Sequence, residues 1–181
     1  HEFVILDSTG RLERRIDLDA EDSRRFLGPV GFSIDESESS IAIVDPRAKF
    51  AVWVYDIDGS SRLSLGPKGE GDGTFSIAVH VTWGPNGILL VTDTVRHSVS
   101  VFDRDGEYLG RIGGFGDGPG QFLYPSASAF VSPDRVAVIE RGGQRYQILE
   151  VELPGVSNRA SLAGDDGAMA VAAVGSKERR K

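Results

Sequence analysis

Residues 89–112 read LLVTDTVRHSVSVFDRDGEYLGRI, and residues 113–122 continue as GGFGDGPGQF. The first stretch holds three short β-type runs, and the dipeptide Asp105-Gly106 between the last two favours a two-residue hairpin turn. Another β-type run, IAVHVTW at residues 77–83, precedes them. The region therefore predicts four consecutive antiparallel strands that end at a glycine-rich segment, which we call a joint.

The same order of signals recurs with a period of about 47 residues. One series of acidic residues at strand ends is spaced by 49, 47 and 47 residues and comprises Asp7, Asp56, Asp103 and Glu150. A second series is spaced by 48 and 47 residues and comprises Asp45, Asp93 and Glu140. The joints that begin at Gly66 and Gly113 are also 47 residues apart. Four-stranded units repeating at this length are typical of β-propeller blades.

The quoted stretches resemble NHL repeats, which build six-bladed β-propellers. The resemblance rests on a glycine joint that ends in Phe, an apolar strand that ends in an acid, and the hairpin pattern V-x-V-F-D-x-x-G, and it extends over residues 2–164. It implies an all-β fold of four-stranded antiparallel blades. The blade at residues 75–113 departs from the repeat, because Ser98 stands five residues after Asp93 where an arginine is common, whereas Arg145 keeps that spacing from Glu140. The blade at residues 27–66 departs as well, because it is shifted by one residue and lacks the glycine joint.

We expect a propeller segment over residues 1–176, followed by a basic tail at 177–181. The predicted parts are a half blade at 2–18, complete blades at 27–66, 75–113 and 122–164, and a possible first strand of a next blade at 167–175. A six-bladed ring at this period needs roughly 280 residues, so the chain of 181 residues is expected to be a fragment whose remaining blades belong to a longer parent chain. The alternative is a closed four-bladed ring, in which the C-terminal strand completes the blade of residues 2–18.

Composition narrows the classes of function. The net charge of −7 makes nucleic acid an unlikely partner, because phosphate binding needs a basic surface. The chain has no cysteine, which excludes disulfides and thiolate metal sites, and no apolar run approaches the length of a membrane span. The sequence opens directly in strand-like residues, which is compatible with a removed leader and slightly favours a secreted or periplasmic bacterial protein over other locations.

The glycine joints are better explained as structure than as ligand sites. A phosphate-binding loop needs a Lys-Ser or Lys-Thr pair before a helix, whereas GPKGEGDGTF at residues 66–75 has only Lys68 and no helical pattern after it. We interpret the joints as crossings between blades, with Phe75 and Phe122 packed between the sheets. Hairpin chemistry explains Asp58 and Asp105 in the D-x-D-G turns without calcium.

His80 is a weak candidate for a metal ligand. It lies in the strand expected to line the propeller channel, where some propeller lyases and lactonases place metal-binding residues. The corresponding positions in the other blades are Gly31 and Ala127, so no ring of ligands recurs, and a catalytic zinc needs three protein ligands. The alternative function is therefore a metal-dependent lyase or hydrolase with its other ligands in missing blades. No cofactor and no catalytic residue are otherwise predicted.

The loops between the second and third strands each begin with an acid and then present cations. The candidate binding residues on these loops are Arg47, Lys49, Arg96, His97, Arg141 and Arg145. These cations have two possible roles. They form a cationic mouth that receives an anionic ligand or an acidic loop of a partner, or each cation pairs with the acid of its own loop. By analogy of fold, we expect a non-catalytic binding, sensing or scaffold module for a protein, peptide or glycan, rather than an enzyme. RNA binding, as in the NHL domains of tripartite-motif proteins, is disfavoured by the negative charge.

Overall fold

The computed structural model describes residues 2–18, 26–35 and 40–153, together with the backbone of residues 171–178. Its described strands form one two-stranded sheet and three four-stranded sheets, all antiparallel. The strands are β1 (Glu2–Leu6), β2 (Leu12–Asp17), β3 (Gly31–Asp35), β4 (Ser40–Val44), β5 (Phe50–Asp56), β6 (Ser61–Pro67), β7 (Ala78–Trp83), β8 (Leu89–Asp93), β9 (Ser98–Phe102), β10 (Tyr108–Ile112), β11 (Pro125–Ser132), β12 (Arg135–Glu140), β13 (Arg145–Val151) and β14 (Val171–Glu178).

Each four-stranded sheet is a meander in which consecutive strands pair, as a propeller blade requires. We number the sheets blade 1 (β1–β2), blade 2 (β3–β6), blade 3 (β7–β10) and blade 4 (β11–β14). The predicted hairpin turns are present: Gly59 and Gly106 have φ of 95° and 86° and connect the third and fourth strands of blades 2 and 3. The all-β propeller architecture is thus confirmed. No helix in the described part of the chain is long and apolar enough to span a membrane.

The last described strand corrects one sequence prediction. Residues 167–175 were expected to start a new blade, but β14 pairs with β13 along its length and forms the fourth strand of blade 4. β14 runs from Val171 to Glu178. The predicted end of the last complete blade at 164 and most of the predicted basic tail at 177–181 lie outside the described residues. The physical reason for the pairing of β14 with β13 is that β13 would otherwise present a row of unpaired backbone groups at a sheet edge. This pairing also differs from the four-bladed alternative, which placed the C-terminal strand against residues 2–18.

The hydrophobic core lies between neighbouring blades rather than inside any one sheet. Phe26, Phe75 and Phe122 each belong to one of three buried clusters, at the contacts of blades 1–2, 2–3 and 3–4 respectively. Phe75 and Phe122 are 1% and 0% exposed, which confirms their predicted role between the sheets. Blade 2 lacks a glycine joint, yet Phe26 occupies the same place, 49 residues before Phe75.

Glycine is required where these phenylalanine rings pack. Gly66 and Gly113 have φ of 64° and 82°, and a Cβ on either would overlap the ring of Phe75 or Phe122. Both positions therefore combine a left-handed backbone with direct coverage by an aromatic ring. The glycine-rich joints mark the place where one blade turns into the next.

Strands β3, β7 and β11 are the inner strands and lie side by side. The backbone N–H of Trp83 in β7 donates to Ser33 Oγ in β3 at 3.0 Å, and Thr82 Oγ1 donates to the Ser128 carbonyl in β11 at 2.7 Å. The strand registers also show which residues are equivalent: Gly31 pairs with Val44, His80 with Thr92 and Ala127 with Ile139, each one residue before the strand-end acid. Blades 2, 3 and 4 are therefore consecutive neighbours.

Candidate functional site

The loops after β4, β8 and β12 share one side of the arc with the segments that lead into β3, β7 and β11, and we call this surface the mouth face. The strand-end acids hold it together. Their carboxylates accept backbone N–H bonds as follows: Asp45 from Leu27 (2.6 Å) and Gly28 (2.8 Å), Asp93 from Ser76 (2.6 Å) and Ile77 (3.2 Å), and Glu140 from Leu123 (2.7 Å). Each acid thus fixes the segment that begins its own blade.

These hydrogen bonds keep the carboxylate of Asp45 ionised. Burial raises the pKa of Asp45, but the backbone N–H groups of Gly28, Arg47 and Leu27 outweigh this effect and hold the pKa below its usual value. The acid is therefore charged at neutral pH, and the stability that it contributes is lost as the pH falls through its folded-state pKa. Its partners are backbone groups rather than the cations of its own loop.

Arg145 is the best-anchored of the predicted cations. Its Nε donates to Glu140 Oε1 at 2.8 Å, and the two side chains are 9% and 0% exposed. Its remaining guanidinium groups donate to the carbonyls of Asp117 (2.5 Å), Gly118 (3.3 Å) and Gln121 (3.1 Å) in the preceding joint. Arg145 therefore pairs with its own loop's acid and binds the joint that leads into blade 4.

Arg96 does the same for the joint before blade 3, from a different position. Its guanidinium donates to the carbonyls of Gly69 and Gly71 and to Thr74 Oγ1, the last two at 3.1 and 2.9 Å. The equivalent of Arg145 in blade 3 is Ser98, because each is the first residue of its strand and pairs with the strand-end acid. Blade 3 thus has Ser98 where the repeat has an arginine, and Arg96, two residues earlier, contacts the joint instead.

This replacement can be tested by moving the arginine. Arg96→Ala is expected to lower the free energy of unfolding by about 1.5–3 kcal/mol, since charge-assisted hydrogen bonds to the joint are lost. Adding Ser98→Arg should recover part of that loss, because the new guanidinium starts from the position of Arg145 in blade 4. Urea denaturation measures both changes, with Lys68→Ala, an exposed cation of the same joint, as control. Equal midpoints for wild type and Arg96→Ala would contradict the assignment.

His97 connects the loop of blade 3 to blade 4. Its Nδ1 accepts the backbone N–H of Tyr124 at 3.0 Å, so the neutral ring carries its proton on Nε2. Its ring meets those of Tyr124 and Phe115 edge-on, at centroid distances of 4.6 and 4.9 Å. Both His97 and Tyr124 have left-handed backbones, with φ of 56° and 53°. Such strain in bulky residues persists only where surrounding contacts enforce it.

Phe115 and Tyr124 form an exposed aromatic pair that the sequence analysis did not single out. They are 70% and 51% exposed, unlike the buried Phe122 between them. The matching bridges Lys68↔Phe75 and Phe115↔Phe122 show that Phe115 stands where the earlier joint has Lys68. Aligning the two joints would have shown an aromatic residue in place of a cation.

The other three predicted cations are exposed on the mouth face. The Arg47 guanidinium lies against Gly28, where a Cβ would be 3.3 Å from Arg47 Cζ. Lys49 Nζ is 5.3 Å from the ring centre of Phe50, and the Arg141 backbone N–H donates to the Tyr124 carbonyl at 3.0 Å. None of the three cationic side chains forms an ion pair within the described residues.

His80 has the environment of a half-buried strand residue. Burial lowers the pKa of its imidazole, which favours the neutral ring. Its Nδ1 lies 3.3 Å from Thr82 Oγ1. Within the described ranges, no three His, Asp or Glu side chains come together as metal ligands. The metal-dependent alternative therefore rests on His80 alone in this part of the chain.

Comparison with known proteins gives the same architecture. A family model described as a 6-bladed beta-propeller matches residues 78–144, which span blade 3 and the first part of blade 4. The RING finger protein nhl-1 of Caenorhabditis elegans is 30% identical over 90 residues, which cover 48% of this chain and 9% of that protein. The similarity thus covers about half of this chain and a small part of the longer relative.

Solved structures extend the likeness to the whole arc. A protein from Lactobacillus plantarum aligns with a TM-score of 0.60 at 14% identity and covers 97% of this chain and 48% of its own. A chain of the nidogen/laminin complex aligns with a TM-score of 0.54 at 19% identity, over 76% of this chain and 48% of its own. The chain thus spans about half the length of each. Together with the repeated four-stranded sheets, these matches identify the fold as consecutive four-stranded β-propeller blades similar to NHL repeats.

Proposed function

We propose that this chain is a non-catalytic binding module whose mouth face receives a protein, peptide or glycan ligand. The observation that carries the proposal is a combination of exposed cations and exposed apolar side chains on one surface. The cations are Arg47, Lys49 and Arg141, and the apolar residues, between 42% and 70% exposed, are Ile77, Val95, Phe115 and Tyr124. Contiguous exposed apolar groups with polar neighbours are typical of interaction surfaces.

The electrostatics of the face support an interaction role. The acids that start the three loops accept backbone N–H bonds, and within the described residues none of them forms an ion pair with Arg47, Lys49 or Arg141. On a protein with a net charge of −7, the exposed cationic groups of Arg47, Lys49 and Arg141 offer positions for carboxylates of a ligand or partner loop. Arg96, His97 and Arg145 have a structural role instead, because their contacts hold the joints and loops in place.

Likeness of fold is compatible with this function without naming a ligand. The nidogen/laminin match is a chain from a structure of the nidogen/laminin complex, so a chain of similar fold is found there in a complex. At 19% identity, that likeness concerns the fold alone. The ligand class must therefore be argued from the residues of this chain.

The proposal is tested by reversing the exposed charges. The triple variant Arg47→Glu, Lys49→Glu, Arg141→Glu is expected to lose most of the binding that wild type shows to a random-peptide display library or a glycan array. The matched control reverses Arg11, Arg14 and Arg135, which are also exposed but lie on the turn or strands away from these loops. Binding that survives in the first variant, or is lost equally in both, would contradict a mouth-face site.

A further inference from the structure

In each of blades 2, 3 and 4, two positions of the mouth face lie together. The first is three residues before the inner-strand residue that is equivalent to His80 (Gly31, His80 or Ala127). The second is two residues after the strand-end acid. The pairs are Gly28 with Arg47 in blade 2, Ile77 with Val95 in blade 3, and Tyr124 with Gly142 in blade 4. In blades 2 and 4, one partner is glycine and the other is large. A Cβ on Gly28 would be 3.3 Å from Arg47 Cζ, and a Cβ on Gly142 would be 2.8 Å from Tyr124 Cδ2.

Glycine on one side therefore lets the large side chain on the other lie across the surface. In blade 3 the pair is aliphatic on both sides, and Ile77 and Val95 are 42% and 45% exposed. The Ile77 carbonyl accepts the N–H of Thr94, the residue before Val95, at 3.1 Å, which brings the two segments together. We call these three pairs, together with Phe115, the mouth strip.

The mouth strip changes its chemical character from blade to blade. It is cationic in blade 2, aliphatic in blade 3 and aromatic in blade 4. The blades are direct neighbours, since β7 hydrogen-bonds to both β3 and β11, and the His97 ring of blade 3 touches the Tyr124 ring of blade 4. A ligand that lies along the strip thus meets charge at one end and aromatic surface at the other.

We propose that the mouth strip binds an extended peptide segment, with an acidic side chain over Arg47 and an apolar side chain over Tyr124 and Phe115. This names the ligand class of the binding module proposed above and rests on that function. The guanidinium of Arg47 presents a planar fork that suits a carboxylate. Asp45 does not occupy it, because the Asp45 oxygens accept the backbone N–H groups of Leu27, Gly28 and Arg47.

The aromatic end favours a peptide over a glycan. Sugar recognition needs several side-chain acceptors and donors beside the rings, and two of the nearby polar side chains, Glu140 and Gln147, are already used. Glu140 accepts bonds from Leu123, Arg145 and Gln147, and Gln147 in turn donates to the Gln121 carbonyl. What remains exposed is apolar ring surface, with Arg141 as the neighbouring cation. An apolar or aromatic side chain is the ligand group that such a surface accommodates.

The experiment selects random peptides on the full chain and then measures the dissociation constant of the enriched peptides by fluorescence anisotropy. Enriched sequences are expected to carry Asp or Glu at a fixed distance from an apolar residue. Arg47→Glu should weaken them about tenfold or more, and reselection on that variant should replace the acid with Lys or Arg. Tyr124→Gly should weaken them by a similar factor while keeping the preference for an acid. Glycine suits the φ of 53° at that position, so this variant should stay folded.

Arg135→Glu is the charge-matched control and should leave the selection unchanged. Enriched peptides without the acidic and apolar pattern, or an unchanged selection on Arg47→Glu, would overturn the inference and leave the binding function standing. The inference would also be overturned, and the binding function would stand, if no peptide were enriched but wild type bound a glycan that the triple charge-reversal variant did not bind. Wild type that binds neither probe would instead refute the proposed function itself.

Discussion

Phe122→Ala is expected to lower the free energy of unfolding by about 3–5 kcal/mol, because removal of a fully buried aromatic side chain leaves a cavity. The ring is 0% exposed and belongs to the cluster between blades 3 and 4, where it packs with residues of both sheets, including Ile112, Val136 and Leu149. It also covers Gly113, so its removal leaves a cavity beside a left-handed glycine. Urea denaturation followed by tryptophan fluorescence measures the loss.

Phe115→Ala provides the matched control. It removes the same side chain from the same joint, but Phe115 is 70% exposed, so its truncation should change the free energy of unfolding by about 0.5 kcal/mol or less. Comparable losses in the two variants would mean that the joint, rather than the interior between the blades, determines the stability measured. The pair also separates roles, because only Phe115 belongs to the proposed binding surface.

Arg145→Ala is the second variant with a large expected effect, about 3–5 kcal/mol of unfolding free energy. It leaves the Glu140 carboxylate, which is 0% exposed, without its cation. It also removes the donors to the carbonyls of Asp117, Gly118 and Gln121. Arg145→Lys should recover only part of the loss, because one ammonium group cannot reproduce the planar fork of the guanidinium.

Arg141→Ala is the control for this prediction, since Arg141 is an exposed cation four residues earlier in the same loop. Its unfolding midpoint in urea should lie close to that of wild type. If Arg145→Ala unfolded at the same urea concentration as Arg141→Ala, the ion pair with Glu140 would contribute nothing to stability, and other contacts would have to hold the joint.

The blades were predictable because their determinants are local and repeated. The hairpin glycines, the strand-end acids and the phenylalanines at the joints recur with one period, and each has a single physical role. The place of β14 was not predicted, because its partner is decided by which strand edge needs covering rather than by its place in the period. The packing role of Phe26 was not predicted either. Its spacing fits the repeat, but no glycine joint precedes it.

The candidate site was predictable in location but not in the use of its residues. Glu140 and Arg145 lie at facing ends of adjacent strands and form an ion pair, which was one of the two alternatives for these loops. Asp45 and Asp93 have the same position in the repeat, but they bind backbone N–H groups far away along the chain, which no local pattern encodes. For the same reason, the sequence did not reveal that Arg96 reaches the joint while Arg141 faces solvent.

The contacts of the joints have a consequence for how such proteins change over evolution. Among the described residues, the hydrogen-bond partners of Asp93 and Arg96 in blade 3 lie between Gly66 and Ile112, and those of Glu140 and Arg145 in blade 4 lie after Gly113. Each unit therefore encodes both its incoming connection and the side chains that secure it. A duplication of such a unit in the gene copies strands, joint and polar contacts together, so the number of blades can change while every joint keeps its own hydrogen bonds.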